Sequence, residues 1–463
     1  MRMSGLDLQQ STRGQWHHGM PDVVYGLSTD SRYFEPEQAF LALRGPHFNG
    51  HEFAHQIADR ASALIGDREG IPDWHDIALP QLEVQDTLIA LGDIAAAWRN
   101  RLGHTRVIAI TGSYGKTSVR SMLSHILQAA GFCVSATRAN RNNLIGVPLT
   151  LLDTSVDTDI ALIECGISEQ GEMDRLASIV QPDVVVLTGL AAAHGEGLGG
   201  LGGIVQEKHG MLAALRDDGW CALGAGVEQT IQEYGLTLPA SYMNMDTGGE
   251  HIVRWQLDGT ELRLSNGESE VILTLALPAR HWADNMALAA TVALQLARSM
   301  RQEQVINLPS VAESLGRWRP VAGRMQILAG PNGSTILDDS YNANPASMQA
   351  AIDTLTSTEG RHIAILGDMG ELGGDAAALH AGLDTSDIDM LLLAGPMMQQ
   401  LANQSKQAQW LPTTDKAIEH ISQMLEKGIF GTGDYILVKA SRSMQFDRIV
   451  SMLTHTVEAS RAV

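Results

Sequence analysis

The sequence predicts an α/β protein of three domains, and three observations predict it. Short β-branched apolar runs alternate with helical patterns through most of the chain, which implies parallel sheets joined by crossover helices. A glycine turn, Gly112-Ser113-Tyr114-Gly115, links one such run to one such helix near the middle of the chain. At 463 residues there is length for about three domains, each able to bury a core of its own.

Residues 1–20 show little periodicity and read as a loose arm; its His17-His18 pair has no further ligand at metal-binding spacing. From Val23 to Gly66 the pattern is strand, turn, strand, helix. Ser31 and Arg32 sit at a turn, where Arg32 could hold a phosphate bidentately or simply pair with Asp30. Gly50-His51 opens a helix carrying Phe53, Ala54, Ile57, Ala58 and Ala61, which leads to a strand over Ser62–Ile65. Pro72 and Pro80 punctuate a loop. Leu88–Arg101 reads as a helix with Leu88, Leu91, Ile94, Ala95 and Trp98 turned inward. Gly103-His104 then closes a small N-terminal α/β domain, residues 1–104.

Residues 105–317 form the central domain. Val107–Ile110 is a strand, and Val119, Met122, Leu123, Ile126 and Leu127 recur at helical steps after the turn. Strand, glycine turn and helix N-terminus make a phosphate cradle, because backbone N–H groups and the helix dipole favour negative charge there. Lys116 reaches the β/γ-phosphates of a nucleotide and the Thr117 hydroxyl can ligate Mg²⁺. Ile110 stands where the longer Walker pattern wants glycine, so the loop is a shortened G-x-x-G-K-T. Strands at Cys133–Thr137, Asp159–Gly166 and Asp183–Gly189 complete a P-loop-type parallel sheet, with ligands expected at the carboxyl ends of its strands. Between Glu250 and Leu277, Asp258-Gly259 and Asn266-Gly267 divide alternating runs, which signals an antiparallel patch. His281–Met300 is a long helix rich in alanine.

Residues 318–463 read as a doubly wound, Rossmann-like domain without a phosphate loop of its own. Strands at Ser334–Leu337, His362–Leu366, Met390–Ala394 and Tyr435–Val438 alternate with helices at Pro345–Leu355, Ala376–Leu383, Lys416–Lys427 and Ser443–Thr454.

Composition narrows the function. A formal net charge of −21 argues against a nucleic-acid surface, which needs clustered Lys and Arg, so an anionic substrate must be met by local positive charge. The longest apolar run, near Val184–Ala193, is too short to cross a bilayer, and the first residues lack the apolar core of a signal peptide. The three cysteines fall inside apparent strands, as core residues of a reducing compartment would. Cytoplasm is the expected location.

Several stretches together resemble the Mur ligases, the ATP-dependent amide-forming enzymes of peptidoglycan precursor synthesis. They are TDSRYFEPEQAFLALRGPHFNGHEF, ITGSYGKTS, TRANRNNLIGVPLTLL, ECGISEQGEM, TGLAAAHGEGLGGLGGIVQEKHGML, RHWADNMALAA, GRMQI, DDSYNANPASM, LGDMGELG and ILVKASRS. The likeness runs from about Asp30 to Val450 and lies nearest the branch that joins D-alanyl-D-alanine to UDP-N-acetylmuramoyl-tripeptide. It implies ATP and Mg²⁺ as cofactors, and γ-phosphoryl transfer to a carboxylate. The resulting acyl phosphate is then attacked by an amine.

Residue by residue, the resemblance implies that Gly112, Ser113, Gly115, Lys116, Thr117 and Ser118 grip the nucleotide, and that Asn285 meets its base. Thr117 and Glu164 would hold one Mg²⁺, His194 would join Glu164 at a second, and Lys208 would be carbamylated. Arg324, Asp339, Tyr341 and Asn342 would close over ATP from the third domain. Ser31, Arg32, Asn140, Asn142 and Asn143 would serve the UDP-linked acceptor, and Lys439, Ser441 and Arg442 the incoming amine. A monomer acting on small molecules is implied, with no nucleic acid and no membrane span.

Some positions depart from the family pattern. Ala139, Ala279 and Ala440 stand where glycine is usual, Trp282 and Gly189 where asparagine is, and Ile167-Ser168 replaces a small residue plus Asn. Arg138 and Arg141 add charge beside the asparagines. These changes are expected around the acceptor and amine walls. On that expectation the activation chemistry is kept, and the acid and amine are either the peptidoglycan pair or another pair from a specialised pathway.

Overall fold

Each domain is built on a separate sheet. The computed structural model describes residues 1–45, 48–191, 195–246 and 252–461, without the side chains at 195–196 and 456–461. The central sheet has six parallel strands, in the spatial order Val134–Ala136, Ile160–Glu164, Arg106–Thr111, Val184–Leu187, Trp220–Leu223 and Tyr242–Asn244. Arg106–Thr111 lies between two neighbours and is buried from Val107 onward, which is why its text is a continuous apolar run rather than an alternating one. The helix Lys116–Ala129 covers one face together with Arg280–Met300. Glu172–Val180 and Gly146–Asp153 cover the other. The hairpin signals give a three-stranded antiparallel sheet, Arg254–Asp258, Glu261–Ser265 and Glu270–Thr274.

The third domain orders its strands Gln326–Ala329, Thr335–Asp338, Asp434–Lys439, Arg361–Gly367, Met390–Ala394 and Ala408–Leu411. All pairs are parallel except the first, an edge hairpin. The helix Pro345–Thr356 starts sharply: Asn344 accepts from the Ser347 N–H at 2.8 Å, and proline occupies the first helical position, where its missing N–H costs nothing.

The N-terminal domain corrects the expectation of a loose arm. Ser4 and Asp7 form a capping box that starts the helix Gly5–Thr12. Leu8 is buried against the helix Thr87–Arg99, and the Trp16 indole donates to the Gly5 carbonyl at 2.9 Å. Two turns with one fully buried leucine carry too little periodicity to read. Gln15–His17 pairs antiparallel with Gln81–Val84, and His17 meets Glu83 at 3.0 Å rather than a metal. That sheet continues in parallel through Ala63–Asp67, Ala39–Leu41 and Leu27–Ser28.

Two smaller corrections follow. Leu88 points outward, and Thr87 and Ala90 take buried places on that helix. Cys133 is exposed just before the sheet's edge strand, whereas Cys165 and Cys221 are core residues. Among the described residues no helix is long and apolar enough to cross a membrane.

Candidate active site

The site grows from the end of the strand Arg106–Thr111. Gly112 has φ +148°, and a Cβ there would lie 2.2 Å from the Thr188 hydroxyl; Gly115 has φ +80° and lies so close to Asn285 that a Cβ would meet its Oδ1 at 2.8 Å. Only glycine lets the backbone pass both places. The turn curls the Gly112 carbonyl onto the Lys116 ammonium at 2.6 Å. One residue on, the Thr117 hydroxyl sits 3.2 and 3.1 Å from the two oxygens of Glu164. Glu164 ends the neighbouring strand in a buried position and also accepts from the Asn142 amide at 3.0 Å and from Arg120 Nε at 3.2 Å.

Two lysines stand beside this cluster, Lys116 half-buried and Lys208 buried. Burial pulls the Lys116 pKa down, opposed by Glu164. Lys208 is 2% exposed, and burial followed by the Lys116 charge holds its pKa well below the usual lysine range. Such an environment disfavours the charged form of a lysine.

The third domain supplies the opposite wall. Arg324 lies with its guanidinium 4.1 Å from the centre of the Tyr341 ring, and Arg442 approaches the same ring at 5.7 Å. Lys439, buried at the end of its strand, donates to Asp339 at 2.5 Å and to the Asn342 carbonyl at 2.9 Å. Burial lowers the Lys439 pKa, against the pull of Asp339. Asn344 crosses to the phosphate loop, its amide donating to the Ser113 carbonyl at 3.2 Å.

One cavity of about 540 Å³ joins the two walls. It collects Ser113, Gly115, Lys116, Thr117, Ser118, Glu164, Lys208 and Asn285 from the middle domain, with Asn140, Asn142 and Asn143 from the loop after the edge strand Val134–Ala136. Arg324, Asp339, Tyr341, Asn342, Lys439 and Arg442 face them. Gly112 lies directly behind this lining. Ser441 does not line the cavity; it is buried, with its hydroxyl 3.2 Å from that of Ser443. Ser31 and Arg32 lie outside it in the N-terminal domain, where Arg32 forks onto Asp30 at 2.9 and 2.7 Å. That local pair is the plainer of the two readings of the turn. His194 lies outside the described residues.

Of the departures, Trp282 and Ile167-Ser168 line the main cavity, while others have a packing explanation. Gly189 makes room for Tyr114, since a Cβ there would lie 2.4 Å from the ring. Trp282 packs edge-on against Trp318, with centroids 5.9 Å apart, and the Trp318 indole is hydrogen-bonded to Ser121 at 3.0 Å. Arg138 and Arg141 line a second cavity of about 410 Å³ at the sheet edge, not the main one, and Arg141 pairs with Asp153 at 3.3 Å. Ala139 sits at φ +50°, the backbone that explains why glycine is usual there. Sequence reasoning missed Arg120, three residues after Thr117 on one helix face, and the inter-domain role of Asn344, which reads only as a helix cap.

The glycine cradle, the cavity-lining Lys116, and a hydroxyl and carboxylate within about 3 Å of each other fit a nucleoside triphosphate with Mg²⁺. Among the described residues no three His, Cys, Asp or Glu side chains converge. A phosphate loop facing an arginine delivered by another domain, in a chain of three α/β domains, is the arrangement of an ATP-dependent ligase.

Comparison with known proteins agrees. The Mur ligase middle domain matches residues 110–293, the Mur ligase glutamate ligase domain residues 323–442, and the Mur ligase family catalytic domain residues 23–99. The chain belongs to the Mur ligase family. UDP-N-acetylmuramoyl-tripeptide–D-alanyl-D-alanine ligase of Escherichia coli (strain K12) is 32% identical over 449 residues, 94% of this chain and 95% of that one. The crystal structure of MurF from Acinetobacter baumannii superposes with TM-score 0.84 at 26% identity, covering 98% of this chain and 99% of that one. MurF ligase from Thermotoga maritima in complex with ADP shares the fold, with TM-score 0.78 at 22% identity and 94% and 99% coverage. This protein is accordingly an acid–amine ligase that uses ATP and Mg²⁺.

Proposed function

We propose that the enzyme joins D-alanyl-D-alanine to UDP-N-acetylmuramoyl-tripeptide. The carrying observation is the shared cavity, in which Lys116, Thr117 and Glu164 of the middle domain face Arg324 of the third. When bound, ATP with Mg²⁺ supplies a phosphoryl group that turns the acceptor carboxylate into an acyl phosphate. The protein's part is positioning and charge neutralisation. Lys116 and the loop N–H groups hold the phosphates, Thr117 and Glu164 hold the cation, and Asn285, beside Gly115, meets the base.

Arg324 is fixed by stacking on Tyr341, which aims its guanidinium without freezing out a flexible chain at each turnover. Lys208 serves as a carbamate: its neutral amine is the form that adds CO₂, and the product is an oxygen ligand of the kind hard cations prefer. With His194 and Glu164 it would serve a second cation. Asn140, Asn142 and Asn143 line the acceptor side, with Ser31 and Arg32 on the UDP side. Lys439, Ser441 and Arg442 serve the amine, Lys439 and Arg442 from the cavity lining. The identity of both substrates is supported by the likeness to the E. coli ligase over nearly the whole chain. The second reading, a different acid and amine, rests on Trp282 and Ile167-Ser168, departures from the family pattern that line the cavity. Domain boundaries at Gly103-His104 and near Arg319, a monomeric state and a cytoplasmic location complete the reading.

The test is phosphate release from ATP. Release should require both UDP-N-acetylmuramoyl-tripeptide and D-alanyl-D-alanine, and Lys116→Ala should abolish it in a folded protein. Equal release with an unrelated acid and amine would overturn the substrate assignment, and unimpaired ligation by Lys116→Ala the reading of the loop.

A further inference from the structure

Glu164 is held by more than the groups that face the cavity. Its side chain is 3% exposed, and a carboxylate so enclosed needs a donor on each oxygen. Thr117 and Asn142 approach from the cavity side. Arg120 approaches from behind, with Nε 3.2 Å from Oε2; among the described residues it is the one cation in ion-pair contact with Glu164.

The same guanidinium turns a second N–H to the Thr137 carbonyl. Thr137 opens the loop that carries Asn140, Asn142 and Asn143, and its hydroxyl accepts the Glu164 N–H at 2.9 Å. Glu164, Arg120 and Thr137 thus form a closed ring of hydrogen bonds. Thr117 and Arg120 are three apart on one helix and share a face, so the residue that would touch the cation and the residue that braces its carboxylate move as one. Arg120 does not line the cavity and cannot touch a phosphate there.

We propose that Arg120 is a positioning residue that holds the Glu164 carboxylate in register for the cation and couples it to the acceptor loop. The proposal rests on the reading of Glu164 as a Mg²⁺ ligand. A guanidinium suits the task because its rigid fork spans two acceptors, which one ammonium does not. Residues that orient a metal ligand typically govern affinity by about 10- to 100-fold.

The experiment is calorimetric ADP binding, without turnover, in Mg²⁺ and in EDTA. Arg120→Gln should weaken ADP binding in Mg²⁺ by about 10- to 100-fold and leave binding in EDTA unchanged, and Arg120→Lys should recover most of the Mg²⁺ effect. Arg120→Lys should still bind the UDP-linked tripeptide more weakly than wild type, because the Thr137 contact is gone. Should Arg120→Gln fail to fold, that acceptor measurement carries the test. Wild-type ADP affinity from Arg120→Gln in Mg²⁺, or wild-type acceptor affinity from Arg120→Lys, would overturn the proposal. If the wild-type protein bound ADP equally with and without Mg²⁺, the reading of Glu164 itself would fail.

Discussion

The Asn344 amide reaches across the domain interface to the Ser113 carbonyl at 3.2 Å, while the oxygen of the same side chain caps a helix by accepting from Ser347 at 2.8 Å. One residue therefore sets both where a third-domain helix begins and how that domain meets the phosphate loop. Asn344→Asp separates the roles. Aspartate caps as well as asparagine, but it sets an acceptor against the Ser113 carbonyl. The unfolding midpoint should stay near wild type while ligation slows by about 10-fold or more, the factor expected of roughly 1.4 kcal/mol lost on closure. Asn344→Ala should instead also cost about 1 kcal/mol of stability. Identical rates in wild type and Asn344→Asp would show that the contact does not contribute to closure.

Lys208 offers a chemical rescue. If its carbamate is an oxygen ligand, Lys208→Ala should be nearly inactive and short carboxylic acids added to the assay should restore part of the rate, since they place the missing oxygens in the vacated space. The intact enzyme should also lose activity in CO₂-depleted buffer. Burial and the Lys116 charge lower the Lys208 pKa, a shift that favours the amine form that adds CO₂. A mass spectrum with no labile CO₂ adduct, together with no rescue, would remove this role.

How far the text alone led differs between elements for physical reasons. Arg106–Ala129 was legible because a fully buried strand, a glycine turn and an amphipathic helix each leave a separate mark. The strands Tyr242–Asn244 and Ala408–Leu411 were not anticipated, because three or four residues at a sheet edge carry little periodicity. Gly5–Thr12 was hidden for a similar reason: its cap is local, but the partner that stabilises it lies some eighty residues away on Thr87–Arg99. In the site, residues that point into the cavity matched family motifs. Arg120 and Trp318, which act from behind, have meaning only once the chain is folded.

His281 predicts an acid limb in stability. It sits with Nδ1 3.4 Å from the Thr354 hydroxyl of the third domain, and burial lowers its pKa to about 4, with Asp339 opposing and Lys439 reinforcing. The unfolded chain takes up this proton below about 6.5, while the native protein refuses it until about 4. Stability contributed by the neutral ring is thus complete above the unfolded value and drains away as pH falls toward 4. The loss is at most about 3 kcal/mol, because the cavity leaves the ring some access to water. His281→Gln should flatten the fall in unfolding midpoint between neutrality and pH ~5. A variant that tracks wild type across that range would place the acid sensitivity elsewhere.

Gly189 and Tyr114 behave as a pair. The strand Val184–Leu187 runs into Thr188, whose hydroxyl donates to the Tyr114 carbonyl, and Gly189 returns to the loop by accepting the Ser113 N–H at 2.8 Å. With the two backbones pinned together, the Tyr114 ring lies over Gly189, and any Cβ there would approach it to 2.4 Å. The asparagine expected at this position from the family pattern has no space beside a tyrosine. Gly189→Asn alone should therefore destabilise by about 1–3 kcal/mol, the usual cost of overpacking, and weaken ADP binding because the phosphate loop must shift to relieve the clash. Tyr114→Ser alone should be mild. Combined with Gly189→Asn, it should restore most of both losses, giving a coupling energy of at least about 1 kcal/mol in the double-mutant cycle. Strictly additive effects would mean that the ring moves aside freely, and the match between the two positions would then be coincidental.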